Sequence, residues 1–158
     1  LLYLGLRIGA DVPFCILNGT YRCLGIGEQL LPLAEIPKCY LAVVKPDVGV
    51  STPEAYRACD NVPDGGMRYT PGMVRAVEHR SIEEIANALG NRFDDALQIS
   101  VVQEIKKYLC ENGALNALMT GSGSAVFGIF SEKSLAENAA KHMPKAFGAW
   151  FLAEPING

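Results

Sequence analysis

An aspartate at the junction of two predicted elements is the first feature of this 158-residue chain that suits chemistry. Asp11 lies between Gly9, which should end a helix, and an apolar run that begins at Pro13. Rigid elements on both sides fix the direction of a carboxylate, as a general base or a metal ligand requires. Spacing alone favours the plainer interpretation, in which Asp11 accepts hydrogen bonds from backbone N–H groups of the turn.

Two glycine-containing turns could let a ligand approach the backbone closely. The first consists of Gly121, Ser122, Gly123 and Ser124 and lies between two apolar runs. Successive N–H groups in such a turn can bind an anion, but the turn has no P-loop lysine and no helix follows it. A tight connection between two strands explains it equally well. The second turn places Ile26 between two glycines and by itself predicts only a turn or a bulge.

A helix start near residue 51 carries an aromatic side chain one turn further on. Ser51 and Glu54 have the spacing of a capping box, and Pro53 suits a first helical turn beside Thr52. Tyr56 would then share a face with this start and could form a flat wall for a base or ring. The plainer interpretation of Tyr56 is an ordinary half-buried helix aromatic.

Composition excludes several classes of protein. The chain has 17 acidic and 14 basic residues, a net charge of -3, and 49% hydrophobic residues. A disordered segment would be more polar, a nucleic-acid module would be basic, and a membrane span would need a longer apolar run. The five cysteines include no C-x-x-C pair and the two histidines lie far apart, so we expect no metal cluster and a reducing, cytoplasmic location.

Apolar periodicity predicts an α+β chain. The predicted helices cover residues 1–8, 51–59, 71–78, 81–89, 94–111 and 135–142. The predicted strands cover residues 13–17, 21–24, 29–33, 39–44, 114–119, 125–130 and 146–152. From residue 39 onward the order is strand, helices, strand, strand, helix, strand, which is the split βαβ pattern of ferredoxin-like domains. The first 33 residues do not fit this unit and are interpreted as part of a different sheet.

Three local features complete this prediction. The Asn18-Gly19 pair predicts a hairpin turn between residues 13–17 and 21–24. Residues 61–69 are rich in glycine and proline around Asp64 and predict a loop. The Asp94-Asp95 pair should complement the dipole of the helix that follows it.

Taken as an ordered set, these motifs resemble the GHMP kinase superfamily. The resemblance rests on residues 8–14, 25–30, 51–53 with Tyr56, and 118–127. It points to the members that act on a cytidine diphosphate-linked methylerythritol in non-mevalonate isoprenoid biosynthesis. For such a kinase it implies transfer of the γ-phosphoryl group of ATP, with Mg²⁺, to the substrate's 2-hydroxyl group. The partner would be this small molecule, with no nucleic acid and no membrane.

The resemblance also implies roles for individual residues. Asp11 matches the catalytic aspartate, which would accept or orient the hydroxyl proton. Tyr56 matches an aromatic that stacks on cytosine, with Thr52 and Pro53 beside it, and Ile26 matches an apolar residue of the substrate pocket. The turn of Gly121, Ser122, Gly123 and Ser124 matches the family's glycine-rich third motif.

One departure from the family divides the chain into two parts. The sequence holds neither the family's glycine-rich ATP loop nor the motif whose lysine pairs with the catalytic aspartate. Residues 1–33 are therefore expected to be an incomplete tail of the N-terminal, ATP-binding domain, and residues 34–158 the C-terminal domain. We expect this chain alone to bind ATP poorly or not at all, to hold no bound Mg²⁺ and to be inactive. The alternatives are homoserine kinase, mevalonate kinase, diphosphomevalonate decarboxylase, or a non-catalytic ferredoxin-like binding module.

Overall fold

Two antiparallel sheets organise the chain, a two-stranded one near the N-terminus and a four-stranded one after it. The structure is a computed structural model that describes residues 1–62 and 69–156. Most of the loop predicted at residues 61–69 lies outside the described residues. None of the helices in the described part of the chain is both long and apolar enough to cross a membrane.

The N-terminal part contains two short helices followed by a hairpin. Its elements are α1 (Leu2–Leu6), α2 (Val12–Leu17), β1 (Tyr21–Leu24) and β2 (Gln29–Pro32). The strand predicted at residues 13–17 is wrong, because these residues form α2. Pro13 lies in the first turn of α2, where its fixed φ favours a helix, and Asn18 ends the helix with a φ of 56°. Strand β1 pairs instead with β2 across the turn that contains Ile26.

The remaining elements form the predicted ferredoxin-like unit with additional helices. They are β3 (Tyr40–Lys45), α3 (Thr52–Asp60), α4 (Thr70–Glu78), α5 (Ile82–Asn87), α6 (Arg92–Leu97), α7 (Ser100–Glu111), β4 (Asn116–Met119), β5 (Val126–Phe130), α8 (Lys133–Lys141) and β6 (Ala149–Ala153). The sheet order is β4-β5-β3-β6, and every neighbouring pair is antiparallel. The predicted α+β fold and its split βαβ order are thereby confirmed.

The single helix predicted at residues 94–111 is divided into α6 and α7. Gln98 ends α6 with a φ of 46°, and its side-chain amide donates to the carbonyl oxygens of Asp94 and Asp95 at 3.1 and 3.2 Å. These bonds satisfy carbonyls that a helix end leaves without partners. The acidic pair does lie in the first turn of α6, but Asp94 is buried and pairs with Lys106 of α7.

Apolar side chains on both faces of the sheet form two core clusters. Val126 and Phe130 of β5 point into one cluster, which contains side chains of α7 and α8. Phe127 and Ile129 point into the other, which contains side chains of α4 and α5. Alternation along β5 therefore buries both faces of this strand. The sheet holds the ends of β3, β4 and β5 at fixed positions.

Candidate functional site

The glycine-rich turn of residues 121–124 connects β4 to β5, as the sequence predicted. Gly121 and Gly123 have φ values of 57° and 96°, which side-chain-bearing residues rarely adopt. A Cβ at Gly123 would come within 2.7 Å of Met119 Sδ, whereas a Cβ at Gly121 would meet nothing within 4 Å. The backbone at Gly121 therefore borders open space that a ligand could occupy.

The end of this turn is fixed by a buried hydroxyl group. Ser124 is buried, and its Oγ donates to the carbonyl oxygen of Val48. Lys45 Nζ donates to Ser124 Oγ at 3.1 Å and to the carbonyl oxygen of Pro46 at 2.8 Å. Sequence reasoning missed this lysine because it is distant in sequence from the turn. Its ammonium group binds protein oxygens and so fixes the turn to the end of β3.

The start of α3 lies against the same turn. Thr52 Oγ1 and Ser122 Oγ are 3.4 Å apart. Pro53 lies in the first turn of α3, as predicted. The predicted capping box with Glu54 is not formed, since the Ser51 side chain makes no capping hydrogen bond. The structure thus brings together two segments that the sequence separates by about seventy positions.

Tyr56 presents an exposed ring one helical turn from this contact. Tyr56 is 61% exposed, so the plainer interpretation of this residue as a half-buried helix aromatic is wrong. Phe93 of α6 meets the Tyr56 ring edge-on, with centroids 5.1 Å apart and an interplanar angle of 84°. Edge-to-face packing holds one side of the ring and leaves surface for a second aromatic group.

Asp11 and Ile26 lie together at the N-terminal hairpin. Asp11 is exposed at the start of α2, where its side chain makes no capping hydrogen bond, contrary to the plainer interpretation. A Cβ at Gly27 would come within 3.4 Å of Asp11 Oδ1, so the carboxylate lies beside the hairpin turn. Ile26 is 77% exposed at this turn.

The surroundings of the hairpin turn shift the pKa values of two side chains, Cys23 and Glu28. Burial and then the negative charge of Asp11 raise the pKa of the Cys23 thiol. Hydrogen bonds from its own N–H and from that of Ile26 lower the pKa of Glu28. The bond from Ile26 N to Glu28 Oε2 is 2.7 Å long and fixes the shape of the turn.

The predicted site residues fall into two groups. Thr52, Pro53 and Tyr56 lie at the glycine-rich turn, whereas Asp11 and Ile26 lie at the hairpin. Within residues 1–62 and 69–156, no hydrogen bond or ion pair joins the two groups. Each group has its own supporting contacts.

Two supporting residues of α6 were missed by sequence reasoning. Asn91 binds the glycine-rich turn and Phe93 supports Tyr56. Asn directly before a helix is a recognised N-cap signal, but the bonds of Asn91 to a distant turn have no local signal.

Residues 73–149 match a family model described as "GHMP kinases C terminal". The chain carries a GHMP kinase C-terminal domain. This match runs from within α4 to the first residue of β6, and it includes α6, the glycine-rich turn, and the strands β4 and β5 of the four-stranded sheet. The predicted resemblance to the GHMP kinase superfamily is therefore confirmed.

The GHMP domain has relatives among curated bacterial proteins named 4-diphosphocytidyl-2-C-methyl-D-erythritol kinase. The one from Caldicellulosiruptor saccharolyticus is 41% identical over 145 residues, which cover 90% of this chain and 50% of the relative. The one from Lachnospira eligens is 38% identical over 135 residues, covering 84% of this chain and 47% of the relative. The chain thus spans about half the length of these relatives.

Two solved structures superpose on this chain. A crystal structure of 4-(cytidine 5'-diphospho)-2C-methyl-D-erythritol kinase superposes with a TM-score of 0.78 at 28% identity, covering 99% of this chain and 57% of that one. Homoserine kinase from Cytophaga hutchinsonii superposes with a TM-score of 0.75 at 18% identity, covering 94% of this chain and 51% of that one. The second likeness is one of fold alone.

Proposed function

We propose that this chain provides the substrate-binding part and the general base of an ATP-dependent small-molecule kinase. The substrate is 4-diphosphocytidyl-2-C-methyl-D-erythritol, and the group phosphorylated is its 2-hydroxyl, in non-mevalonate isoprenoid biosynthesis. The exposed ring of Tyr56 beside the contact of Thr52 with Ser122 carries this proposal. The names of the relatives support the same substrate.

The cytosine base would stack on Tyr56. A base can lie on the open face of this ring, because Phe93 meets the ring edge-on and leaves surface accessible. Thr52 and Pro53 would contact the nucleotide from the start of α3, and Ile26 would contribute an apolar surface from the hairpin. Stacking tolerates any base, so the choice of cytosine requires polar contacts in addition.

Asp11 would act on the reacting hydroxyl group. The oxygen of the 2-hydroxyl attacks the γ-phosphorus of ATP, the bond from that phosphorus to the bridging oxygen of ADP breaks, and the hydroxyl proton passes to the Asp11 carboxylate. An exposed carboxylate with no capping bond is available for this proton. Positioning and charge stabilisation supply most of the catalysis in phosphoryl transfer.

ATP and Mg²⁺ would supply the phosphoryl group and neutralise its charge. Mg²⁺ is usually held by one or two carboxylates together with phosphate oxygens and water. Among the described residues, no three His, Cys, Asp or Glu side chains are grouped so that they could hold a metal ion. Because the sequence holds neither the family's ATP loop nor its lysine motif, we expect the 158-residue chain alone to bind ATP poorly or not at all.

Calorimetric titration with cytidine 5′-diphosphate tests the binding half of the proposal. We expect the chain to bind this nucleotide and Tyr56→Ala to weaken binding by about 1–3 kcal/mol, the usual contribution of one stacked base. Tyr56→Phe, which keeps the ring, is the matched control and should bind like the unaltered chain. Equal affinity of Tyr56→Ala and Tyr56→Phe would refute stacking on Tyr56.

A further inference from the structure

We propose that Asn91 is a positioning residue that couples the glycine-rich turn to Tyr56 through the first turn of α6. This inference rests on the proposed function, since it concerns the same substrate site. Asn91 acts through the backbone N–H of Phe93 and through the backbone carbonyl groups at the glycine-rich turn. Its effect is to fix the spacing between the surface for the base and the turn that borders the open space at Gly121.

The side-chain amide of Asn91 joins two elements. Its Nδ2 donates to the carbonyl oxygen of Met119 at 2.8 Å and to that of Gly121 at 2.9 Å. Its Oδ1 accepts from the backbone N of Phe93 at 2.9 Å and so caps α6. All three bonds have good length, and they tie the entry and the tip of the turn to the start of α6.

The next two residues join α6 to α3. Arg92 Nη2 donates to the carbonyl oxygen of Cys59 at 2.9 Å, near the end of α3. Phe93, whose N–H is capped by Asn91, packs edge-on against Tyr56 near the start of α3. The first turn of α6 therefore holds α3 at two places, and one of them is the ring proposed to bind cytosine.

A buried ion pair anchors α6 to the core. Asp94 is 3% exposed and accepts from Lys106 Nζ at 2.6 Å and from Gln103 Nε2 at 2.9 Å, both on α7. Helix α7 packs into the larger core cluster through buried apolar side chains. Asn91 thus links the glycine-rich turn to a helix that is anchored in the core, so loss of its donors should release the turn and let the start of α6, with Phe93, shift without unfolding the helix.

The test distinguishes the two hydrogen bonds that Asn91 donates to the turn from the one that it accepts as the N-cap of α6. Asn91→Asp keeps the shape and the capping oxygen, but it places carboxylate oxygen opposite the carbonyl oxygens of Met119 and Gly121. Asn91→Ser also keeps a capping oxygen, but its side chain is too short to reach both carbonyl oxygens. This variant replaces Asn91→Asp in the test if the added charge prevents folding. Asn112→Asp is the matched control, because Asn112 Nδ2 donates to the carbonyl oxygen of Tyr108 at 2.8 Å, at the far end of α7.

Three measurements are made on each variant. Amide hydrogen exchange is followed at Thr120 and Gly123, whose N–H groups bond within the turn, and at the amides of α6. The NMR shifts of the Tyr56 ring report its contact with Phe93, and titration gives the affinity for cytidine 5′-diphosphate. In Asn91→Asp we expect exchange at Thr120 and Gly123 to rise, and the affinity to fall, by about tenfold each. The Tyr56 ring shifts should also change, while Asn112→Asp changes none of the three.

The outcomes distinguish this inference from the proposed function. Unchanged exchange at Gly123 in both Asn91 variants would overturn the inference, and so would faster exchange with unaltered Tyr56 ring shifts. If the unaltered chain does not bind cytidine 5′-diphosphate, the proposed function fails. The exchange and ring-shift measurements would still decide whether Asn91 couples the turn to Tyr56.

Discussion

Asp11 keeps its carboxylate accessible because the start of α2 does not use it. The cap position of a helix normally binds an acidic side chain to backbone N–H groups, and here the side chain makes no such bond. It lies instead beside the hairpin turn, where it raises the pKa of Cys23 in addition to the larger effect of burial. The reactivity of this thiol therefore reports the position of the carboxylate.

Replacing Asp11 should make Cys23 more reactive. Asp11→Asn removes a negative charge that disfavours the thiolate, so the pKa of Cys23 falls and more thiolate is present at pH 8. Mass spectrometry after brief treatment with iodoacetamide should show faster alkylation of Cys23. Cys110, whose pKa is raised mainly by burial, is the internal control and should react at its original rate. An unchanged rate at Cys23 would place Asp11 away from this thiol.

At the scale of single residues, the sequence predicted which residues belong to the candidate site better than it predicted the contacts of those residues. It singled out Tyr56 and the glycine-rich turn, and the structure places both at one surface. It could not predict Asn91 or Lys45, because their partners lie about thirty and eighty positions away and only the folded sheet brings them together. Long-range polar contacts of this kind leave no periodic pattern in a sequence.

Helix α6 is the element that determines the geometry at the glycine-rich turn. It has only six residues, which is too short for a helix to be stable by itself. Its stability must come from tertiary contacts, of which the buried pair of Asp94 with Lys106 is the most polar. The side chain of Lys106 is 25% exposed, whereas that of Asp94 is 4% exposed. The two partners therefore differ in how easily they can reach water.

Removing Lys106 should cost more stability than removing the charge of Asp94. Lys106→Met leaves a buried carboxylate without its cation, at a cost of about 3 kcal/mol in the free energy of unfolding. Asp94→Asn keeps an acceptor for Gln103, and Lys106 can turn toward water, so about 1 kcal/mol is expected. Urea unfolding of both variants measures this difference. Lys107→Met is the control, because Lys107 is 76% exposed and its partner Glu111 is 3.8 Å away.

The prediction is tested by which variant loses more free energy of unfolding. If Asp94→Asn costs as much as Lys106→Met, the carboxylate is not confined in the way that its burial implies. A loss in Lys107→Met equal to that in Lys106→Met would show that any charge on α7 has the same effect.

At the scale of elements, most boundaries followed from apolar runs and turn residues. Two predictions were wrong for local reasons. The run at residues 13–17 is apolar enough for a strand, but Pro13 favours a first helical turn, and Asn18 ends the resulting helix with a positive φ. The helical pattern of residues 94–111 continues across the break at Gln98, because periodicity does not reveal a residue with positive φ.

In the whole molecule, the N-terminal part buries fewer of its large apolar side chains than the part built on the four-stranded sheet. The buried core residues run from Cys39 to Met143, and both core clusters are built on the four-stranded sheet. The N-terminal part exposes large apolar side chains, among them Leu1, Tyr3, Leu4, Ile8 and Ile26. A cavity of about 270 Å³ lies between β1 and α4, so the hairpin is not closely packed there. The division of the chain after residue 33 stays a prediction.

Deletion of residues 1–33 should leave a folded domain. Leu33 is among the few side chains before residue 34 that pack on a core cluster, and its loss should cost less than about 2 kcal/mol. Residues 34–158 are therefore expected to unfold cooperatively in urea and to retain the far-UV circular dichroism of an α+β domain. Loss of the cooperative transition would mean that the N-terminal part stabilises the core and that the chain folds as one unit.

Phosphoryl transfer by a longer polypeptide tests the proposed kinase. The N-terminal half of the Caldicellulosiruptor saccharolyticus relative is joined to this chain, and ATP-dependent phosphorylation of 4-diphosphocytidyl-2-C-methyl-D-erythritol is measured. We expect the chimera to be active, the 158-residue chain alone to be inactive, and Asp11→Asn in the chimera to lower kcat by about a hundredfold or more, as loss of a general base does. Normal turnover in the Asp11→Asn chimera, or near-normal turnover by the chain alone, would contradict the roles proposed for Asp11 and for this chain.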